Sequence, residues 1–265
     1  MNRKPYPTDL TDEQWELLES ILPPPELHGR KRTVELREVF NALTHVSRTG
    51  CQWRMLPHDF PLWQTVYYYF RKWRDAEWFV SWNDALRVEL RQAEGREAEP
   101  SAAIIDSQSV KTTEVADERG YDAGKKINGR KRHALVDTLG LLLCIKVLAA
   151  GVQDRDGAKA LLEEVKDRMP RLQLIWADGG YRGKLITWVA ETCRLGLQIV
   201  LRKHDVKGIQ VLPRRWVVER TFAWLCRNRR LSKDYERRAG SSEAFCYYSM
   251  IHLMLRRLRP DKAST

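Results

Sequence analysis

The sequence predicts an α/β domain with a mixed sheet, preceded by an all-helical segment. Three observations carry this. Apolar residues between Thr11 and Glu94 recur at helical spacing. After a polar stretch, GREAEPS (Gly95–Ser101), they gather into short β-type runs. Those runs then alternate with amphipathic helical stretches, the pattern of parallel crossovers.

Thr11 can cap DEQWELLESIL, with Asp12 and Glu13 in the first turn, where the helix dipole favours acids. Trp15, Leu17, Leu18 and Ile21 form its stripe, and Pro23, Pro24 and Pro25 stop it. TVELREVFNALTHVSRTG is a second helix, with Thr33 as cap and Gly50 as the left-handed terminator. A turn at Pro57–Pro61 leads to a third helix, LWQTVYYYFRKWRDAEWF, and VSWNDALRVELRQAE makes a fourth. Short helices joined by turns suit a helix-turn-helix arrangement. The third carries Gln64, Thr65, Tyr68, Arg71, Lys72 and Arg74 as candidate DNA contacts, while Trp63, Tyr67, Phe70 and Trp73 serve as its apolar back.

In the second part, Ala102–Asp106 is one strand, and RHALVDTLGLLLCIKVLAAG is two strands around a turn at Asp137–Gly140. DRDGAKALLEEVKDRM is a helix and LQLIWAD a fourth strand. KLITWVAETCRLG is a helix closed by Gly196, LQIVLRK a fifth strand, and RRWVVERTFAWLCRN a third helix. The order β-β-β-α-β-α-β-α is that of ribonuclease-H-like folds. The predicted organisation is a helical DNA-binding region at 1–95, a linker at 96–101, a ribonuclease-H-like domain at 102–240 with a five-stranded mixed sheet, and a C-terminal helix at 241–265. That last helix packs on the catalytic domain or forms a dimer contact.

Charge is unevenly distributed. The net charge is +11, yet residues 1–100 hold 14 Lys and Arg against 16 Asp and Glu. The whole basic surplus therefore follows residue 100, which points to a polyanion such as nucleic acid. No apolar run reaches the roughly 18–20 residues of a membrane span. The N-terminus lacks an apolar signal core, and the five cysteines are scattered without a CxxC pair, so the chain reads as cytoplasmic, without a disulfide framework or zinc site.

Asp106 and Asp178 each follow an apolar run, AIID and LIWAD. In a ribonuclease-H-like sheet those two strands are neighbours, so both carboxylates meet at one edge. Unpaired, they repel and one is driven to bind a proton; a divalent cation relieves this. Gly179 and Gly180 allow a sharp turn after Asp178. Glu219 is the one acid between Arg214 and Lys233 and lies one turn after Arg215. It is either a salt-bridging surface residue or the third ligand. Lys125, Lys126, Arg130, Lys131 and Arg132 in GKKINGRKRH, and Arg227, Arg229, Arg230 and Lys233 after the last helix, are candidate phosphate contacts, as are Arg182 and Arg215.

The blocks IIDSQSVKT, GYDAGKKINGRKRHALVDTLGLLL, ADGGYRG and RRWVVERTFAWLCRNRRLSKDYE resemble the catalytic blocks of bacterial insertion-sequence DDE transposases of the insertion-sequence-five family. LTDEQWELLESILPP and RTGCQWRMLPHDFPLWQTVYYYFRKW resemble its N-terminal region. The resemblance implies Asp106, Asp178 and Glu219 as the catalytic triad. It implies two Mg²⁺ ions about 3.5–4 Å apart, with Mn²⁺ as a substitute. Water would cut at the element's ends, and the freed 3′-OH would then attack target DNA. Of the family's Tyr, Arg, Glu and Lys signature, Arg215 and Glu219 match, while Leu212 and Cys226 stand at the Tyr and Lys positions. Those two roles pass to Arg227, Arg229 or Lys233, or are absent. The implied partners are double-stranded DNA, as terminal inverted repeats and target, and a second copy of the chain in the DNA complex. Two rival readings remain: a ribonuclease-H-like nuclease that cuts without joining, and a DNA-binding regulator without chemistry.

Overall fold

A computed structural model describes residues 3–24, 32–201 and 214–261. Pro25 and Leu212, and the predicted end of the fifth strand at Arg202 and Lys203, lie outside the described residues. Four helices come first: α1 (Asp12–Ser20), α2 (Leu36–Thr49), α3 (Trp63–Asp75) and α4 (Trp78–Ala93). Thr11 Oγ1 accepts the Gln14 N–H, and the Gln14 side chain accepts the Thr11 N–H, so a capping box starts α1. Gly50 ends α2 at φ 73°, where a residue without Cβ is unstrained.

Two helix boundaries differ from the sequence reading. Thr33 caps nothing; α2 begins at Leu36 behind Glu35. The third predicted helix breaks at Glu77, which takes φ 55°, so Trp78 and Phe79 open α4. Aromatic residues on both sides of the break serve the same core, so the apolar pattern carries no mark of it.

The sheet contains β1 (Ala102–Lys111), β2 (Gly120–Asp122), β3 (Ile127–Asp137), β4 (Leu142–Ala149), β5 (Leu174–Ala177) and β6 (Gly196–Ile199). β1 lies between β3, antiparallel, and β5, parallel; β6 continues beyond β5, and β4 flanks β3. Among the described residues the sheet has six strands rather than five, because the three-residue β2 pairs with β3 beyond the end of β4. β1 is also longer than expected. It does not stop at Asp106 but runs to Lys111, pairing Ser107–Lys111 with Gly129–His133. A polar stretch opposite a basic one hides a ladder that apolar patterning would reveal.

Helices cover both faces. α5 (Asp154–Val165) and α6 (Lys184–Trp188) pack on one face through a core that includes Ile105, Leu135, Leu161, Ile175 and Leu185. α6 continues as a π turn to Cys193, and Arg194 rather than Gly196 takes the left-handed stop (φ 57°). Gly196 opens β6 instead. The other face meets α7 (Trp216–Cys226) and α8 (Ala239–Leu258).

α8 lies between the sheet and the N-terminal helices. Glu243 accepts the Val147 N–H at 2.8 Å, and the Tyr248 hydroxyl donates to Phe40 O at 2.7 Å. One buried cluster runs from Leu18, Phe40 and Trp82 through Phe245 and Ile251 to Ile104, Val136 and Phe222. The linker is pinned too, since Arg91 Nε donates to Glu97 O and Ala98 O. No helix among the described residues is long and apolar enough to cross a membrane.

Candidate active site

β1 and β5 pair in register, Ala103 with Ile175 and Ile104 with Trp176. Two residues further along the same register stand Asp106 and Asp178. Buried isoleucines precede the first and buried Trp176 and Ala177 the second, so the core fixes where both carboxylates emerge. Asp178 Oδ1 accepts the Gly180 N–H at 2.7 Å and caps the short turn Gly179–Tyr181. Asp106 Oδ1 accepts the Ser107 N–H at 2.7 Å.

Glu219 lies in the first turn of α7, its side chain 61% exposed. Arg215, one turn earlier, joins the set: its Nη2 is 3.8 Å from Asp178 Oδ2 and 3.7 Å from Glu219 Oε1. Burial pushes the Asp106 carboxyl up to about 6, and the Asp178 charge adds to this; the Ser107 N–H, Arg215 and Lys125 oppose it. Two carboxylates held together against burial and repulsion are a site for positive charge.

Alternation along β1 sorts what surrounds Asp106. Gln108 points toward α7, where its amide donates to Cys226 Sγ at 3.5 Å, so Asp106 shares that face. Ser107 and Ser109 point the other way. The Ser107 hydroxyl donates to Asp154 Oδ1 at 2.7 Å and that of Ser109 to Asp122 Oδ2 at 2.5 Å. Lys131 Nζ lies between these acids, 3.1 Å from Asp154 and 3.6 Å from Asp122. Burial raises the Asp154 carboxyl, but the bonds from Ser107 and Lys131 outweigh it and the net shift is downward. Sequence reasoning missed Asp154, because an acid in a first helical turn reads as a dipole partner.

His133 is opposite Ser107 on β3, and burial pushes it down to about 4. Its ring occupies the space a Cβ on Gly157 would need, 2.2 Å from Cε1, so α5 can approach β3 only at glycine.

The candidate phosphate contacts divide. Lys125, Lys126, Arg182, Arg227, Arg229, Gln64 and Arg71 are exposed, Arg215, Lys72 and Lys233 half-buried. Arg215 is in contact with the carboxylates, and Lys125 donates to Ser107 O at 3.2 Å beside Asp106. Arg130, Lys131, Arg132 and Arg230 are buried, which corrects the expectation that they face phosphates. Arg130 donates to Glu118 O, Glu236 O and Arg237 O, Lys131 to Val152 O, and Arg132 to Leu231 O. Arg230 donates to Cys51 O and pairs with Glu236 at 2.7 Å, its guanidinium over Trp53 and Phe245. Arg74 likewise turns inward, donating to Ser241 Oγ at 2.7 Å.

Among the described residues no three His, Cys, Asp or Glu side chains converge closely enough to hold a metal ion. The donor chemistry nonetheless fits a hard divalent cation at Asp106 and Asp178, with Glu219 linked to them through Arg215.

A sheet of this order with helices on both faces, Asp106 on β1, Asp178 directly after β5 and Glu219 on α7, is that of the ribonuclease-H-like class. The family described as "Transposase DDE domain" matches residues 97–254, and that described as "Putative transposase of IS4/5 family" matches residues 10–82. The chain belongs to this family of insertion-sequence DDE transposases. Two proteins of Burkholderia cepacia are similar to it, each 29% identical. The uncharacterized 16.2 kDa protein of insertion element IS402 aligns over 44% of this chain and 78% of its own length. The putative transposase for insertion sequence element IS402 aligns over 44% of this chain and 58% of its own length, so the chain covers little more than half of that relative. The DDE domain implies action on DNA and a general dependence on divalent metal.

Proposed function

We propose that the chain cuts DNA at the ends of its element and joins the freed 3′-OH to target DNA at one site, with Asp106, Asp178 and Glu219 as its catalytic carboxylates. The observation that carries this reading is the register of β1 and β5, whose last pair, Ile104 with Trp176, stands two residues before Asp106 and Asp178, together with Arg215, which contacts both Asp178 and Glu219. Two Mg²⁺ ions, or Mn²⁺ in their place, held by these carboxylates would supply Lewis-acid activation of the attacking oxygen and neutralise charge on the leaving one. Asp106, whose carboxyl burial and Asp178 push up to about 6, would hold a cation in its deprotonated form. Arg215, which contacts Asp178 and Glu219, would be the residue to turn to a phosphate oxygen if those carboxylates held the cation. Lys125 is placed to hold the scissile strand beside Asp106. Cleavage and joining share one geometry because they differ only in the nucleophile, water or a 3′-OH. No covalent link between protein and DNA is required.

The exposed stripe Gln64, Tyr68 and Arg71 on α3 supports reading of the element's ends by the helices within residues 1–95. Residues 102–240 carry the chemistry, reached through 96–101, and 241–265 brace the two. A pair of ends requires two copies in the DNA complex. Cys226, at the position where the family carries Lys, accepts the Gln108 amide, so the end-handling role passes to Arg227, Arg229 or Lys233, or is absent.

The test uses labelled duplexes carrying the element ends, with Mg²⁺ or EDTA, and the parent beside Asp106→Asn and Glu219→Gln. Metal-dependent 3′-OH ends and joined products, lost in both variants while binding persists, are the outcome this reading requires. Cleavage without joining makes the chain a nuclease. Binding alone, without cleavage, makes it a regulator.

A further inference from the structure

The solvent side of α7 carries a feature that the carboxylate site does not use. Trp216, Arg220 and Trp224 recur every four residues and so share one stripe of the helix. The Arg220 guanidinium lies 4.4 Å from the Trp216 ring centre and 4.6 Å from that of Trp224. Arg257, from the last turn of α8, lies 4.3 Å over Trp224. The result is a row of alternating indole and guanidinium, beginning three residues before Glu219 and running away from it.

Its charges lack acidic partners. Among the described residues neither Arg220 nor Arg257 has a carboxylate within 4.0 Å. Arg220 spends one N–H on Leu139 O, and its Nε is buried without a partner. Asp137 and Glu94 act on these cations only from beyond contact distance, so among the described residues no carboxylate occupies their N–H groups. Ring faces hold a guanidinium flat, an orientation that suits a phosphate approaching any N–H left free. Trp216 and Arg257 are exposed, so the row is open to solvent.

We propose that the Trp216–Arg220–Trp224–Arg257 row is a second DNA contact, a rail that holds the phosphate backbone of duplex DNA as it passes the carboxylate site. This rests on the transposase reading and adds to it a surface outside the basic clusters. The rings act by orienting the guanidiniums, so Trp216 is a positioning residue for Arg220.

Binding of the full chain to a fluorescent 30-base-pair duplex in EDTA, across a salt series, tests this. Arg257→Ala is expected to weaken binding about tenfold at low salt and to flatten the salt dependence by about one counterion. Arg257→Lys is expected to restore the slope, and Trp216→Ala to weaken binding with the parent's thermal unfolding retained. Parent-like affinity and slope in both Arg257→Ala and Trp216→Ala overturn the rail and leave the transposase reading standing. Failure of the parent to bind DNA at all overturns both.

Discussion

Replacing Asp106 with asparagine should stabilise the metal-free protein, though it removes a carboxylate of the proposed site. The Asp106 carboxyl is pushed from an ordinary value of 3.8 to about 6, first by burial and further by Asp178. A group whose folded pKa is raised holds its proton in the fold where the unfolded chain has released it. Stability therefore falls as pH rises from about 4 to about 6, and the full penalty is present above that window. Two pK units correspond to about 3 kcal/mol. Asparagine carries no charge to desolvate and still accepts the Ser107 N–H. Denaturant unfolding in EDTA should show Asp106→Asn more stable than the parent by about 2–3 kcal/mol at pH 8, with the difference vanishing near pH 4. Mg²⁺ should raise the parent's midpoint and leave the variant's unchanged. An equal difference at both pH values, or a loss of stability at pH 8, would refute the claim that Asp106 is a half-buried, charge-frustrated carboxylate.

Four further outcomes follow from the same geometry. Gly157→Ala drives a methyl into the His133 ring and should cost about 1–3 kcal/mol in denaturant unfolding, with cleavage reduced only in proportion to folded protein. Arg230→Ala leaves buried Glu236 without its partner and removes the stack on Trp53 and Phe245; a loss of about 3–5 kcal/mol, measured by denaturant unfolding, is expected. Asp154→Asn, which weakens the support behind Ser107, should lower metal-dependent cleavage about 10–100-fold with the fold retained by circular dichroism. Because burial pushes His133 down to about 4, the folded protein keeps it neutral where the unfolded chain is protonated. His133→Phe should then reduce the loss of stability between pH 6.5 and 4 seen in urea titrations.

The two aspartates were legible because each ends an apolar run, and a sheet core leaves such a residue at its edge. Glu219 was legible as a lone acid in a basic helix, and Arg215 by its spacing from it. The fate of the basic residues was not legible. A run such as Gly129–His133 reads the same whether its side chains face phosphate or core. What buries Arg130 is a set of carbonyls at Glu236 and Arg237, more than 100 residues away. The far half of β1 was hidden for the same reason, since Ser107 and Ser109 find their acids on α5 and β2. The cation–π row was invisible because Arg257 joins it from another helix.

The central claim is that Asp106, Asp178 and Glu219 act as one metal-holding set. Soaking Mn²⁺ into crystals of the protein bound to a duplex of its element end, and mapping the anomalous signal, tests this most directly. The account predicts Mn²⁺ on the Asp106 and Asp178 carboxylates, with Glu219 turned onto the metal and Arg215 displaced from both acids. Mn²⁺ bound elsewhere, with Arg215 still bridging Asp178 and Glu219, would contradict it.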